Sequence, residues 1–434
     1  MRIGLDFRML SAGRATLNRG MGRYSQQQLR EVLAADAENR YVLVCRPDHC
    51  PELLLPEIAR APNVEIALLP ESLTTPESGR AENELASAAA FDRWLACLDL
   101  DLFHATTPFL LMEPLLPRVT ACPVLATHYD LIPLVYRERY FTSGDAANLE
   151  IYLRVVRAVR QADRLLAISD YVRHEALAYL GVPLARTDVA HPIADPCFVP
   201  LAADEAERRL AVLRERTGLG DDFLLTVSHV HHSKNLTTLL RGYALLPAEW
   251  RRRHPLVVAC DLDRAGRTAL LGWARELGVR DTLVIPGFLA DDELVALYNA
   301  AYLFIHPSRY EGFGLPVLEA MRGGAAVIAG RATSLPEVVG EAGVLVDPED
   351  PGAFSRALRD LDRDGERRQA LRRAALGQAE RFTGEALGRA TLAANERTVE
   401  AARRARRAPG KRPRIALWTP LPPQESGVAD YAAE

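Results

Sequence analysis

The chain has 434 residues, 48% of them hydrophobic and 7% aromatic, with 53 Lys and Arg against 57 Asp and Glu. The formal charge of −4 gives no reason to expect a nucleic-acid partner, no apolar run reaches the ~18 residues that span a bilayer, and the length favours two or more domains. The six cysteines (Cys45, Cys50, Cys97, Cys122, Cys197, Cys260) show neither CxxC nor Cys/His metal spacing. Reduced thiols in a cytoplasmic protein are therefore expected, and a strand-like start at residue 2 speaks against a signal peptide.

Short apolar runs alternate with amphipathic segments along the chain, the pattern of βαβ units that build parallel sheets. The first set of strands is expected at residues 3–7, 41–45, 64–68, 102–105, 124–127, 165–168 and 188–191. A second set is expected at 223–227, 256–260, 282–285, 302–305, 326–328 and 344–346. Between the sets, residues 192–203 carry Pro192, Pro196 and Pro200 and read as a hinge. The fold class is thus α/β, with two facing Rossmann-like domains and an interdomain cleft beyond the carboxyl ends of the strands.

The densest signal runs from Ser308 to Met321 (SRYEGFGLPVLEAM). Gly312 and Gly314 permit a tight turn, and Pro316 suits a first helical turn. The amides of Gly314, Leu315 and Val317 are then expected to be unpaired donors at the positive end of a helix, a place for phosphate. Glu311 and Glu319 would repel a bare anion, so hydroxyl groups are their expected partners and a nucleotide sugar the expected ligand.

The E-x7-E pair within E-G-F-G-L-P-x-L-E-A resembles the signature of retaining glycosyltransferases of family 4, which have the two-domain GT-B fold. The resemblance extends to about residue 400 and implies a wall of the cleft on each side. Gly20 and Gly22 precede or open a helix after strand one, as the family's N-terminal glycine loop does, facing a diphosphate or the acceptor. His128, in A-T-H-Y-D-L-I-P, resembles the family's histidine loop and would reach the donor sugar, while His104 would only line the cleft. Residues 225–236 resemble the strand and loop that carry the diphosphate lysine, here Lys234. This chain departs from the family at His229, where arginine is frequent, and at Ser228, where glycine is frequent. Gly287 and Phe288 fall where the family holds the base, and Glu319 where it holds the ribose. Ser334 is expected to cap a helix with Glu337 completing its capping box. The implied chemistry needs no cofactor and no metal. Asp99-x-Asp101 precedes a strand and reads as structural, the same spacing recurs at Asp261 and Asp263, and the histidines 229, 231 and 232 fit no common metal-ligand set.

The expected organisation is a first domain at 1–197, completed by a helix at about 383–402, and a nucleotide-sugar domain at 204–382. Residues 403–413, rich in arginine, read as a solvated linker, with an anionic lipid patch as the alternative. Arg414–Trp418 then repeats the look of Arg2–Asp6, and Gly427/Tyr431 the spacing of Gly20/Tyr24. A second glycosyltransferase module is expected to begin there. The expected activity is retaining transfer of a hexose, mannose from GDP-mannose as the favoured donor, to a growing surface polysaccharide or lipid-linked glycan, with possible peripheral contact at the inner membrane face. The sequence leaves two alternatives open: a nucleotide-sugar epimerase or hydrolase on the same fold, and a silent module that binds glycan or scaffolds a neighbour.

Overall fold

The computed structural model describes residues 1–8, 20–47, 58, 60–73, 81–109, 119–141, 146–260, 262–287 and 289–407. Residues 414–434, where a second module is expected to begin, the rest of the expected linker beyond Arg407, Phe288 and Asp261 lie outside the described residues.

Two all-parallel sheets form as the alternation of apolar runs requires. The first contains β1 (Arg2–Asp6), β2 (Arg40–Cys45), β3 (Val64–Leu68), β4 (Leu102–Ala105), β5 (Val124–His128), β6 (Arg164–Ala167) and β7 (Thr187–Val189), in the order β3-β2-β1-β4-β5-β6-β7. The second contains β8 (Leu224–Val227), β9 (Leu256–Ala259), β10 (Leu283–Val284), β11 (Leu303–His306), β12 (Val327–Gly330) and β13 (Val344–Val346), in the order β10-β9-β8-β11-β12-β13. Central strands are apolar on both faces because helices cover both. Leu303, Phe304 and Ile305 are fully buried, each stabilising the fold by roughly 1.5–3 kcal/mol relative to exposure. The strand order reverses between β1 and β4 and between β8 and β11, and such switch points are where open α/β sheets receive ligands.

The helices that position the site are α1 (Gly20–Ala35), α2 (Ile132–Val135), α3 (Arg137–Tyr140), α4 (Asp170–Leu180), α5 (Arg264–Glu276), α6 (Asp291–Ala300), α7 (Leu315–Arg322), α8 (Leu335–Val339) and α9 (Gly384–Arg407). Helix α9 returns to the first sheet's layer, where Gly388 lies so close to the Glu31 carbonyl that a Cβ would come within 2.6 Å, and Gln28 donates to Thr391 at 3.1 Å. The proline-rich connection is tied to the second domain: Leu201 donates its amide to Asn299 Oδ1 at 2.7 Å, and Arg322 Nε donates to the Phe198 carbonyl at 3.2 Å. Described residues up to Val399 form one compact unit. The basic segment expected as linker from residue 403 begins instead as helix, since α9 runs through Arg407. Alanine and arginine are both strong helix formers, which favours helix over a solvated coil in this segment.

Asp101 accepts the Arg2 amide at 2.9 Å, Asp99 takes a left-handed turn conformation (φ 50°), and Asp263 caps α5 through the Gly266 amide at 2.7 Å. These aspartates therefore serve turns and caps.

Candidate active site

The strand β11 ends on His306, and the chain then turns through Pro307 and Ser308 to bring Glu311 back beneath it. The Glu311 carboxylate is buried and accepts four hydrogen bonds: Lys234 Nζ at 2.7 and 2.8 Å, Ser308 Oγ at 2.7 Å and His306 Nε2 at 2.9 Å. Burial alone would raise its pKa, but the Lys234 charge and the His306 hydrogen bond hold it well below the usual carboxylate range. Its backbone is fixed too. Thr333 Oγ1 receives the Glu311 amide at 2.9 Å, while Ser334 Oγ donates to the carbonyls of Glu311 and Phe313, both at 2.9 Å.

Lys234 arrives from the loop after β8, the other strand of the switch point. Asn235, buried in a left-handed conformation (φ 56°), donates through Nδ2 to the carbonyls of Pro307 and Pro348 at 3.0 and 2.6 Å, locking this loop to the Glu311 loop. The neighbouring histidines divide. His231 lies 4.6 Å from the Tyr140 ring and His232 lies 5.0 Å from the Tyr136 ring, both tyrosines coming from the first domain. Burial, together with nearby positive groups, pushes the pKa of both downward, so they clasp the other domain as neutral rings. His229 stands on the exposed side of the loop. Among the described residues no cluster of three or more His, Cys, Asp or Glu is arranged to hold a metal.

Gly314 takes φ 105° at the start of α7, a conformation that favours glycine. Leu335 Cδ2 would meet an added Cβ there at 2.7 Å. The amides of Gly314 and Leu315 take no hydrogen-bond partner among the described residues. Val317 differs from expectation: its amide donates to the Gly314 carbonyl at 2.9 Å, because the first turn tightens around the glycine and consumes that donor. This helix end, expected to receive phosphate, therefore has one donor fewer than expected.

Glu319, one turn and more into α7, is buried and accepts from Tyr298 Oη at 3.0 Å. Burial pushes its pKa up to about 7, against the favourable field of Arg23 and the Tyr298 hydrogen bond. Arg23 belongs to α1 and bonds Asp291 of α6 at 2.9 Å, so the first domain reaches the neighbourhood of this carboxyl. Between the unperturbed value of 4.5 and about 7, the folded chain keeps a proton that the unfolded chain has released. Glu319 thus contributes a loss of stability as pH rises through that window, of up to about 3 kcal/mol. Glu319→Gln is expected to flatten this slope, with little change at pH 4.5 and higher stability at pH 8. Urea denaturation at the two pH values measures it, and equal slopes for variant and wild type would refute the assignment.

From the first domain, β5 ends on His128, which is fully buried. Its Nε2 lies 3.3 Å from Glu175 Oε2 without hydrogen-bond geometry, and neither ring nitrogen makes a hydrogen bond among the described residues. Asp130, beside it, is pushed up to about 6 by burial and, less strongly, by the charges of Glu175 and Glu311. The other Glu175 oxygen accepts the Tyr310 hydroxyl from the second domain. Ser169 Oγ donates to the Gly312 carbonyl at 2.7 Å, so the two walls touch at the glycine turn. His104 does not line the cleft: it is fully buried in the sheet, bonded to Thr127 Oγ1 at 2.9 Å, and burial lowers its pKa to about 3. Gly20 is exposed and Gly22 buried at the start of α1. Gly287 takes φ 83° just before α6.

The expected capping box at α8 is absent. Ser334 is in a helical conformation with its hydroxyl turned to Glu311 and Phe313, and Glu337 reaches instead across the cleft. It accepts the Asp170 amide at 3.0 Å and His191 Nε2 at 2.6 Å, capping α4 of the other domain. The Ser169 cap of α4 takes the Val172 amide and leaves those of Asp170 and Tyr171, and these two donors outcompete a local partner for Glu337. Sequence reasoning singled out Glu311, Lys234 and His128, and gave no role to His306, Ser308, Glu175 or Tyr310, which contact them or one another. A histidine closing an apolar strand two residues before a serine was a usable signal for the first pair; nothing local marks Glu175.

The family model described as "Glycosyltransferase Family 4" matches residues 19–197, and that described as "Glycosyl transferases group 1" matches 213–378. The chain is similar to the Escherichia coli serotype-specific mannosyltransferase WbdA, 35% identical over 257 residues, 59% of this chain and 31% of that protein. It is 34% identical over 225 residues to the E. coli O-antigen chain mannosyltransferase B, 52% of this chain and 58% of that protein. The chain thus spans only part of the curated relatives it matches. Among solved structures, Anabaena HepE in complex with UDP-glucose superposes with a TM-score of 0.66 at 18% identity, over 93% of this chain and 100% of that one. WaaG, a glycosyltransferase involved in lipopolysaccharide biosynthesis, gives 0.65 at 18% identity, over 91% and 99%. These two likenesses establish the GT-B fold.

Proposed function

The chain belongs to the family 4-like GT-B glycosyltransferases, and from that premise we propose that it transfers mannose from GDP-mannose, with retained configuration, to a growing O-antigen-type polysaccharide. The observation that carries the reading is the Glu311–Lys234 pair at the switch point of the second sheet, connected to His128 of the first domain through Tyr310 and Glu175. The names of the similar mannosyltransferases support the sugar and the acceptor class.

In this reading Lys234 sits where negative charge develops on the departing diphosphate, and the free amides of Gly314 and Leu315 add two oriented donors. Glu311, ionised and pinned by four hydrogen bonds, accepts from sugar hydroxyls while His128 fixes the opposite edge. No side chain is needed as a covalent nucleophile. The leaving diphosphate oxygen takes the proton of the incoming acceptor hydroxyl on the same face, the C–O bond to the diphosphate breaks, and the new glycosidic bond forms where it left. Glu319 accepts from the ribose, so Glu319→Ala weakens GDP binding whereas Glu311→Ala spares it and lowers turnover. The repeat at Arg414 and Gly427 supports a second module acting on the same glycan.

A panel of nucleotide sugars, read by thermal shift and by slow donor hydrolysis, tests the reading. GDP-mannose is expected to stabilise the chain most and to turn over; no turnover with any donor would favour the silent-module alternative. His229 supplies a second check. If it replaces an arginine by carrying a proton beside the diphosphate, donor affinity falls as pH rises through its titration, and His229→Arg flattens the profile while retaining activity. A pH-independent affinity in the wild type would make His229 a bystander.

A further inference from the structure

Glu175 is a carboxylate whose side chain is wholly shielded from solvent, on a helix that no motif marks. Such a group is costly to bury without a cation bonded to it, and among the described residues its only hydrogen-bond donor is the Tyr310 hydroxyl. Tyr310 immediately precedes Glu311 and comes from the second domain. The other oxygen of Glu175 faces His128 Nε2 at 3.3 Å, in the first domain. One carboxylate therefore spans the cleft, touching one of the two proposed sugar-holding residues directly and the other through its chain neighbour.

We propose that Glu175 is a positioning residue: through Tyr310 and His128 it sets the separation of Glu311 and His128 when the domains meet. The arrangement accounts for both halves of the carboxylate. Oε1 registers the arrival of the second domain, because the Tyr310 hydroxyl reaches it only when the walls touch. Oε2 stands against an imidazole that makes no hydrogen bond among the described residues, so a small ring rotation lets His128 donate to Glu175 through Nε2 and leaves Nδ1 as an acceptor for a sugar hydroxyl. The carboxylate thus selects a tautomer as well as a place. This inference rests on the roles given to His128 and Glu311 above.

The test uses the 434-residue chain with GDP-mannose, or whichever donor of the panel turns over, and compares Glu175→Gln, Tyr310→Phe, the double variant and His128→Ala. Glutamine keeps an acceptor for Tyr310 and removes the charge facing His128. Glu175→Gln and Tyr310→Phe are each expected to lower kcat by about tenfold to a hundredfold, since small displacements of reacting groups cost that much, with donor KM changed by less than about threefold. The double variant is expected to fall short of the product of the singles because both act on one linkage. Thermal stability of Glu175→Gln should equal or exceed that of the wild type, which a merely structural role would not allow together with a kcat loss. Wild-type kcat in both single variants, or a kcat loss that follows a fall in melting temperature, overturns the proposal. If His128→Ala also keeps its turnover, the reading of the site fails with it; if only His128→Ala is impaired, the site stands and the positioning role falls.

Discussion

Glu311→Gln is expected to lower donor turnover by roughly a hundredfold or more while leaving the fold at nearly wild-type stability. The loss comes from removing an oriented, ionised acceptor whose carboxylate is buried, where such groups act most strongly. Stability survives because glutamine keeps the shape and still accepts from Ser308 and His306, and Lys234, with a quarter of its side chain exposed, finds solvent. The reciprocal change behaves differently. Lys234→Ala strands the Glu311 carboxylate, whose side chain is 8% exposed, without its cation, and removing one partner of a buried pair costs about 3–5 kcal/mol. The remaining hydrogen bonds from Ser308 and His306 place the expectation toward the lower end of that range. Turnover falls in both variants, but only Lys234→Ala also lowers the melting temperature. Calorimetry beside a donor-hydrolysis assay distinguishes them, and equal melting temperatures would show that the pair is not coupled as its geometry indicates.

The pattern of apolar runs was enough to locate the strands of both sheets, with ends displaced by no more than two residues, because the central runs are buried on both faces and have no alternative use; the edge strand β3 is only partly covered. Residues 303–306 illustrate this: four consecutive buried positions after a helix leave only a central strand. The Glu311 loop was equally legible, since a glycine pair, a proline and two carboxylates impose their spacing locally. What escaped the sequence depends on segments that meet only in the folded chain. Tyr310 and Glu175 are 135 residues apart, and Glu337 and Asp170 are 167 apart. A local capping box for Glu337 was a reasonable expectation that lost to a helix end in the other domain. The Val317 amide escaped for a different reason: whether a first helical turn tightens enough to use its own carbonyl is decided by a few degrees of backbone rotation around Gly314.

Gly312→Ala is expected to cost about a hundredfold in turnover although it changes no group that touches the donor. A Cβ built at this position would lie 2.2 Å from the Tyr129 carbonyl oxygen, 3.2 Å from Asp130 Oδ2 and 3.2 Å from Ile168 Cδ1, all on the first domain. The nearest atom is backbone, at the end of a strand whose His128 is fully buried, so it has no rotamer by which to yield. The second domain must move instead, by an ångström or more to restore an ordinary contact. That movement also pulls the Gly312 carbonyl from Ser169 Oγ and the Tyr310 hydroxyl from Glu175, so Glu311 and His128 separate together. Each domain keeps its own core, and unfolding of the second sheet should be unchanged. Gly272→Ala serves as the control: it lies in α5 with nothing within 4 Å of an added Cβ, and it should leave activity intact while slightly stabilising the helix. Small-angle scattering of the two variants, beside donor hydrolysis, reads the result. A larger radius of gyration with reduced turnover in Gly312→Ala alone is the expected outcome. Full turnover in Gly312→Ala would mean that the contact between the walls at this turn is not the state in which the sugar is transferred.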